Sequence, residues 1–103
     1  MKIVTLSYTA PSNTGALKEN AKSWIGTILS VPAVLELRMY QSPDGKDAMA
    51  VARVVSLAEM DEFLASEKFK TLLREMEAAG CSNFQLRPWE ASPIMPDPIR
   101  REM

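Results

Sequence analysis

Histidine is absent from this chain of 103 residues. That removes the imidazole general base, the Ser-His and Cys-His nucleophile pairs, and any His-ligated metal or haem. Cysteine is nearly absent as well. Cys81 stands alone, so neither a disulfide framework nor a thiolate zinc site forms within one chain. A single thiol fits a cytoplasmic protein. Cys81 follows Gly80 where a helix should end, and it reads as a small buried hydrophobe rather than a nucleophile. No apolar window approaches the roughly 20 residues of a membrane span. The N-terminal MKIVTLSYTAPS has too short an apolar run for a signal peptide. An excess of one charge is missing too: twelve Lys plus Arg oppose thirteen Asp plus Glu. A net charge of -1 recruits neither nucleic acid nor an anionic membrane. Acid–base work near neutral pH therefore falls to a shifted carboxylate, Lys, Tyr or Cys, or to the substrate itself.

What is present is the ordinary globular balance, 47% hydrophobic and 24% charged residues. The length suits one domain. Such a chain buries only somewhat over ~60% of its unfolded surface and gains from a partner. Residues 2 to 9, KIVTLSYT, alternate as a strand, with Val4, Leu6 and Tyr8 on one face. From Thr14 to about Ser30 the period becomes helical: Leu17, Ala21, Trp24, Ile25 and Ile28 share a face, and Asn13 or Thr14 can cap it. Pro32 stops this helix. A hairpin follows, Val34 to Gln41 and Asp47 to Val55, joined by Ser42-Pro43-Asp44-Gly45. Residues 56 to 80 read as a helix that caps itself twice, at Ser56 and at Ser66, and bends at the second cap. Gly80 suits a left-handed C-terminal cap. Asn83 to Trp89 is a last strand, and residues 92–103 form an extended tail with Pro93, Pro96 and Pro98.

Strand, helix, strand, strand, helix, strand is the split βαβ order. It predicts a ferredoxin-like α+β domain over residues 1–91, a four-stranded antiparallel sheet with two helices on one face. The other face is expected to carry Ala, Val, Met or Leu residues. Left open, such a patch favours a symmetric homodimer through the sheet faces, with the tail reaching across.

The run VARVVSLAEMDEFLASEKFKTLLREM resembles the antibiotic biosynthesis monooxygenase-like group of the dimeric α/β-barrel superfamily. Residues 61–69, DEFLASEKF, carry the resemblance: an acidic or aromatic stretch, then Ser66 with Phe69 three residues on. The resemblance implies a dimeric α/β barrel with a pocket in each protomer, between helices and sheet. The group includes cofactor-free oxygenases of aromatic polyketides and quinols, and haem degraders. In this register the haem degraders' Trp position is Phe63, their His position is Leu73, and the first strand has no Asn. The resemblance therefore implies oxygen chemistry without cofactor or metal, on a small phenol- or quinol-type aromatic. The competing reading is a non-catalytic homodimer that binds a metabolite or another protein.

Five residues are the candidate ligand contacts: Tyr8, Trp24, Arg38, Tyr40 and Phe63. Trp24 is a core aromatic or a pocket wall whose indole N–H is free for a ligand oxygen. Tyr8 and Tyr40, near strand ends, are proton donors or simply bury a ring and wet a hydroxyl. Glu36, Arg38 and Arg53 sit in strands read as covered on both sides, where an unpaired charge is costly. If Gln41 faces Asp47, then Glu36, Arg38 and Tyr40 share a face with Ala52, Ala50 and Ala48, and the alanines leave space for them. A one-residue slip moves Arg53 to their face instead. Trp89 reads as an interface aromatic, and the methionines as core filling or an adaptable pocket lining.

Overall fold

The computed structural model describes residues 1–101. Glu102 and Met103, the end of the expected tail, lie outside the described residues. In chain order the elements are β1 (Lys2–Thr9), α1 (Gly15–Leu29), β2 (Val34–Gln41), β3 (Asp47–Val54), α2 (Leu57–Leu64), α3 (Glu67–Ala78) and β4 (Ser82–Glu90). The strands form one antiparallel sheet in the order β2-β3-β1-β4. This is the ferredoxin-like arrangement, with the helices on one face of the sheet.

The helix predicted over residues 56 to 80 is realised as two segments. The Ser56 hydroxyl accepts from Glu59 N–H at 3.3 Å and starts α2. The Ser66 hydroxyl accepts from Phe69 N–H at 3.4 Å, restarting the chain as α3, and donates to the Phe63 carbonyl. Each N-cap satisfies an orphan donor that the previous turn cannot reach. Gly80, at φ +102°, closes α3. A Cβ there would stand 2.7 Å from the Pro11 side chain, so both the backbone angle and the loop after β1 require glycine. Thr14 makes no side-chain cap for α1; the Asn13 carboxamide oxygen accepts from Gly15 N–H at 3.0 Å.

The β2–β3 register differs from the one assumed above. Gln41 pairs with Ala48, and the ladder slips by one residue between Val34 and Glu36. Leu35 is the extra residue and is 52% exposed. The bulge keeps Val34 buried while changing the partner list of everything after it. Residues paired across antiparallel strands share a face. Glu36, Arg38 and Tyr40 thus stand beside Arg53, Val51 and Met49, and the alanines belong to the opposite face. Ala48, Ala50 and Ala52 lie under the helices, between Tyr8, Leu6 and Val4 on one side and Gln41, Met39 and Leu37 on the other.

The core fills the space between that face and the helices. It divides into two clusters, one around Leu6, Tyr8, Trp24, Leu72 and Met76, the other around Val4, Val34, Val54 and Met60. The open face is mixed rather than apolar. Ile3, Met49 and Val51 are half-buried there, but Glu36, Arg38 and Arg53 stand among them. Arg87 lies 4.7 Å over the Trp89 ring, whose N–H donates to Thr5 Oγ1 at 2.9 Å. Beyond β4, residues 91–101 form neither helix nor strand and expose Ile94, Met95 and Ile99.

Candidate functional site

The alanine row explains why there is room for a site. Ala50 pairs with Leu6 on one side and Met39 on the other. Its methyl group reaches less far toward the helices than its neighbours do. Above it, helical spacing on α1 brings Trp24 and Ile28 down, and spacing on α3 brings Leu72 and Met76. These walls do not meet, and they enclose a cavity of about 130 Å³ between α1, α3 and the sheet. Tyr8 and Trp24, two of the five candidates, line it together. Met39, half-exposed on the edge strand β2, stands at its margin.

The remaining three candidates are elsewhere. Arg38 and Tyr40 are on the open face of the sheet, away from the cavity, because of the register described above. Glu36 binds both neighbouring arginines there, at 2.6 Å to Arg38 and 3.3 Å to Arg53. None of the three is buried, their side chains being 39 to 67% exposed, so the desolvation cost expected for a charge covered on both sides is not incurred. The Arg38 hydrogen bond, more than any other contact, holds the Glu36 carboxyl below its ordinary range. Phe63 lies toward the second cluster, where it packs on Phe69 at 5.5 Å between ring centroids. It lines a separate void of about 30 Å³ over Ala52 and, on its other side, a surface groove by Ser30 and Glu62.

Trp24 also differs from expectation in one atom. Its indole N–H is not free for a ligand; it donates to Glu75 Oε2 on α3 at 2.9 Å. What Trp24 offers the cavity is the face of its ring. Glu75 was invisible as a site residue in the sequence, where it belongs to a run of helix-surface charges. Only the pairing of α1 with α3 brings it to Trp24. Leu72 carried no signal beyond helical periodicity, which marks core and cavity lining alike, whereas Met76 and Met39 are among the methionines read as core filling or pocket lining.

Tyr8 supplies the only hydroxyl among the lining residues. Its ring packs against Phe84 at 6.1 Å. Burial, and after it the neighbouring Cys81, raises its pKa above the ordinary tyrosine value. The phenol is therefore neutral at physiological pH and can donate a hydrogen bond, but cannot act as a base. Burial likewise raises the Cys81 thiol, which keeps it from becoming a thiolate nucleophile near neutral pH. Among the described residues no three Cys, Asp or Glu side chains gather where they could hold a metal ion. Nor is any helix among the described residues long and apolar enough to cross a membrane.

No family model matches this chain, and no curated protein matches it. Solved structures do. SnoaB, a cofactor-independent oxygenase from Streptomyces nogalater, superposes with a TM-score of 0.75 at 11% identity, over 93% of this chain and 97% of that one. A Deinococcus radiodurans protein assigned as an antibiotic biosynthesis monooxygenase gives 0.71 at 10% identity, over 100% of both chains. A Bacillus halodurans protein of the ethyl tert-butyl ether D family gives 0.64 at 15% identity, over 87% of this chain and 98% of that one. At such identities the likeness is one of fold, and a fold hosts many chemistries. The chain has the ferredoxin-like fold that these structures share.

Proposed function

We propose that this protein binds a single-ring phenol or hydroquinone in the cavity between helices and sheet, and oxygenates it without cofactor or metal. The observation that carries the reading is the cavity itself: apolar, beneath Trp24, with Tyr8 the one hydroxyl-bearing residue of its lining, on a scaffold shared with a cofactor-independent oxygenase. Its size narrows the ligand. An apolar cavity of about 150 Å³ takes benzene, whereas drug-sized ligands fill about 300 Å³ or more. At about 130 Å³, one ring fits and a fused polycycle does not.

The chemistry asks little of the protein. A phenol ring carbon gains one atom of O2 and becomes a quinone carbonyl. The ring C–H and O–H hydrogens leave with the other oxygen atom as water, and the ring supplies the electrons. Tyr8 already carries its proton and cannot take another, so the substrate enters as the phenolate, and the proton it left in solvent is taken up again when the second oxygen atom leaves as water. The Tyr8 hydroxyl then donates to the charged oxygen, and the apolar walls exclude water. A hydrogen bond to a charged group is worth about 1.5–3 kcal/mol, so Tyr8→Phe should lower turnover roughly 10- to 100-fold.

The test is oxygen uptake with a panel of phenols and hydroquinones under labelled O2. One labelled atom in the quinone and one in water supports the reading. Uptake no faster than without protein overturns it. One observation favours a second reading, a non-catalytic metabolite-binding protein: Tyr8 is the only ionisable residue among the lining residues. Phenol binding without oxygen uptake would select it. In either case we place a second copy of the chain on the open sheet face, where Tyr40 and Trp89 are 48% and 43% exposed beside half-buried Val51 and Met49.

A further inference from the structure

The cavity beneath Trp24 and the smaller void near Phe63 are neighbours. Both are lined by Leu6, Ile28, Leu37 and Ala50. Leu6 and Ala50 belong to the sheet floor. Ile28 hangs from α1 and Leu37 rises from β2. The division of the core falls at the same place, because Ile28 and Leu37 are also the two side chains packed against both hydrophobic clusters. Two independent features, the voids and the packing, thus meet at one seam.

We propose that Ile28 and Leu37 set the length of ligand this protein accepts, by separating a one-ring cavity from an unused extension under α2. Beyond the seam the extension is bounded by Ala52, Met60, Phe63 and Phe69, an apolar surround suited to a second ring. Phe63 therefore belongs to the binding region only when the seam is open. Trimming either seam residue joins the two spaces and admits a fused two-ring aromatic. The inference concerns shape alone. It holds whether or not the protein oxygenates phenols, so the probes are plain hydrocarbons.

The methionines report where a probe sits. Met76 lines the first cavity, Met60 the second void, and Met49 faces the other side of the sheet. The full chain, labelled at the methionine methyl carbons, is titrated with benzene and with naphthalene. In the unmodified protein benzene shifts the Met76 methyl and leaves Met60 in place, and naphthalene binds at least tenfold more weakly. In Ile28→Ala naphthalene binds at least tenfold more tightly than before and shifts Met76 and Met60 together. Leu37→Ala, on the opposite wall, gives the same result and serves if the first variant does not fold. Val54→Ala, a core truncation that borders neither space, leaves the preference for benzene unchanged. The proposal is overturned if benzene does not bind the unmodified protein, if it already reaches Met60 there, or if naphthalene enters neither trimmed variant. It is overturned equally if Val54→Ala admits naphthalene, because general loosening then explains the gain. Benzene bound without any affinity for phenol would instead count against the proposed function and leave the seam standing.

Discussion

At the scale of single residues, Tyr8 and Trp24 decide what the cavity offers a ligand. Burial raises the Tyr8 pKa, so the folded protein holds this proton more tightly than the unfolded chain, whose value is about 10. A group with a raised folded pKa gives stability that is complete below the unfolded value and is lost as pH rises through the folded one. The unmodified protein should therefore lose more thermal stability between pH 8 and pH 10.5 than Tyr8→Phe does, as melting curves at the two pH values will show. Equal losses would mean that the hydroxyl is free in solvent. For Trp24 the decisive atom is Nε1. Its bond to Glu75 is worth about 1 kcal/mol, and it holds the indole ring as a cavity wall. In a Trp89→Phe background, Glu75→Ala should move the fluorescence of Trp24 to longer wavelength, while Glu75→Gln, which keeps an acceptor, should not. Sequence alone pointed to both aromatics because each lies on the apolar face of its element. It could not show that the indole N–H already has a partner, since Trp24 and Glu75 are 51 positions apart.

At the scale of elements, the caps were legible and the register was not. Ser56 and Ser66 act locally, through hydrogen bonds to N–H groups three residues on, so their spelling suffices. Ser66→Ala should cost about 1 kcal/mol, measured by urea unfolding. Gly80→Ala should cost more, about 1–3 kcal/mol, since it adds strain at positive φ to a clash with Pro11. The hairpin turn, by contrast, left the pairing of Gln41 open by one residue. A period of two makes that single slip move Arg38 and Tyr40 from beside the alanines to beside Val51 and Met49. The bulge at Leu35 cannot be read from local propensity, because its cause is the need to bury Val34 while the rest of β2 keeps its face. Ala50 lies under the helices through its pairing with Leu6 on β1, and the same slip sets Met39 and Leu37, rather than Arg38 and Tyr40, along that alanine row. Ala50→Leu should fill the cavity and abolish ligand binding. If the larger side chain fits, the protein melts at the same temperature or higher; overpacking would cost about 1–3 kcal/mol.

At the scale of the whole molecule, the strand and helix order alone specified the ferredoxin-like fold, because few topologies satisfy that order with short connections. The open face was harder to foresee. Its composition depends on register, and it carries an ion-paired cluster among its apolar residues. Such a face suits a second copy in which both kinds of group find partners. The unmodified chain should sediment at twice 11.4 kDa, and Val51→Lys, at the centre of that face, at the single mass with unchanged helical content. A monomer in both cases would remove the dimer from the account and leave the cavity untouched. The central claim is that the cavity takes a one-ring phenol, and the most direct measurement is a phenol titration of the methionine-methyl-labelled protein. Met39 and Met76 line the cavity, whereas Met49 faces the other side of the sheet. Phenol held in the cavity gives saturable shifts of the Met39 and Met76 methyls with Met49 unmoved. Shifts at Met49 alone, or none at saturating phenol, would contradict it.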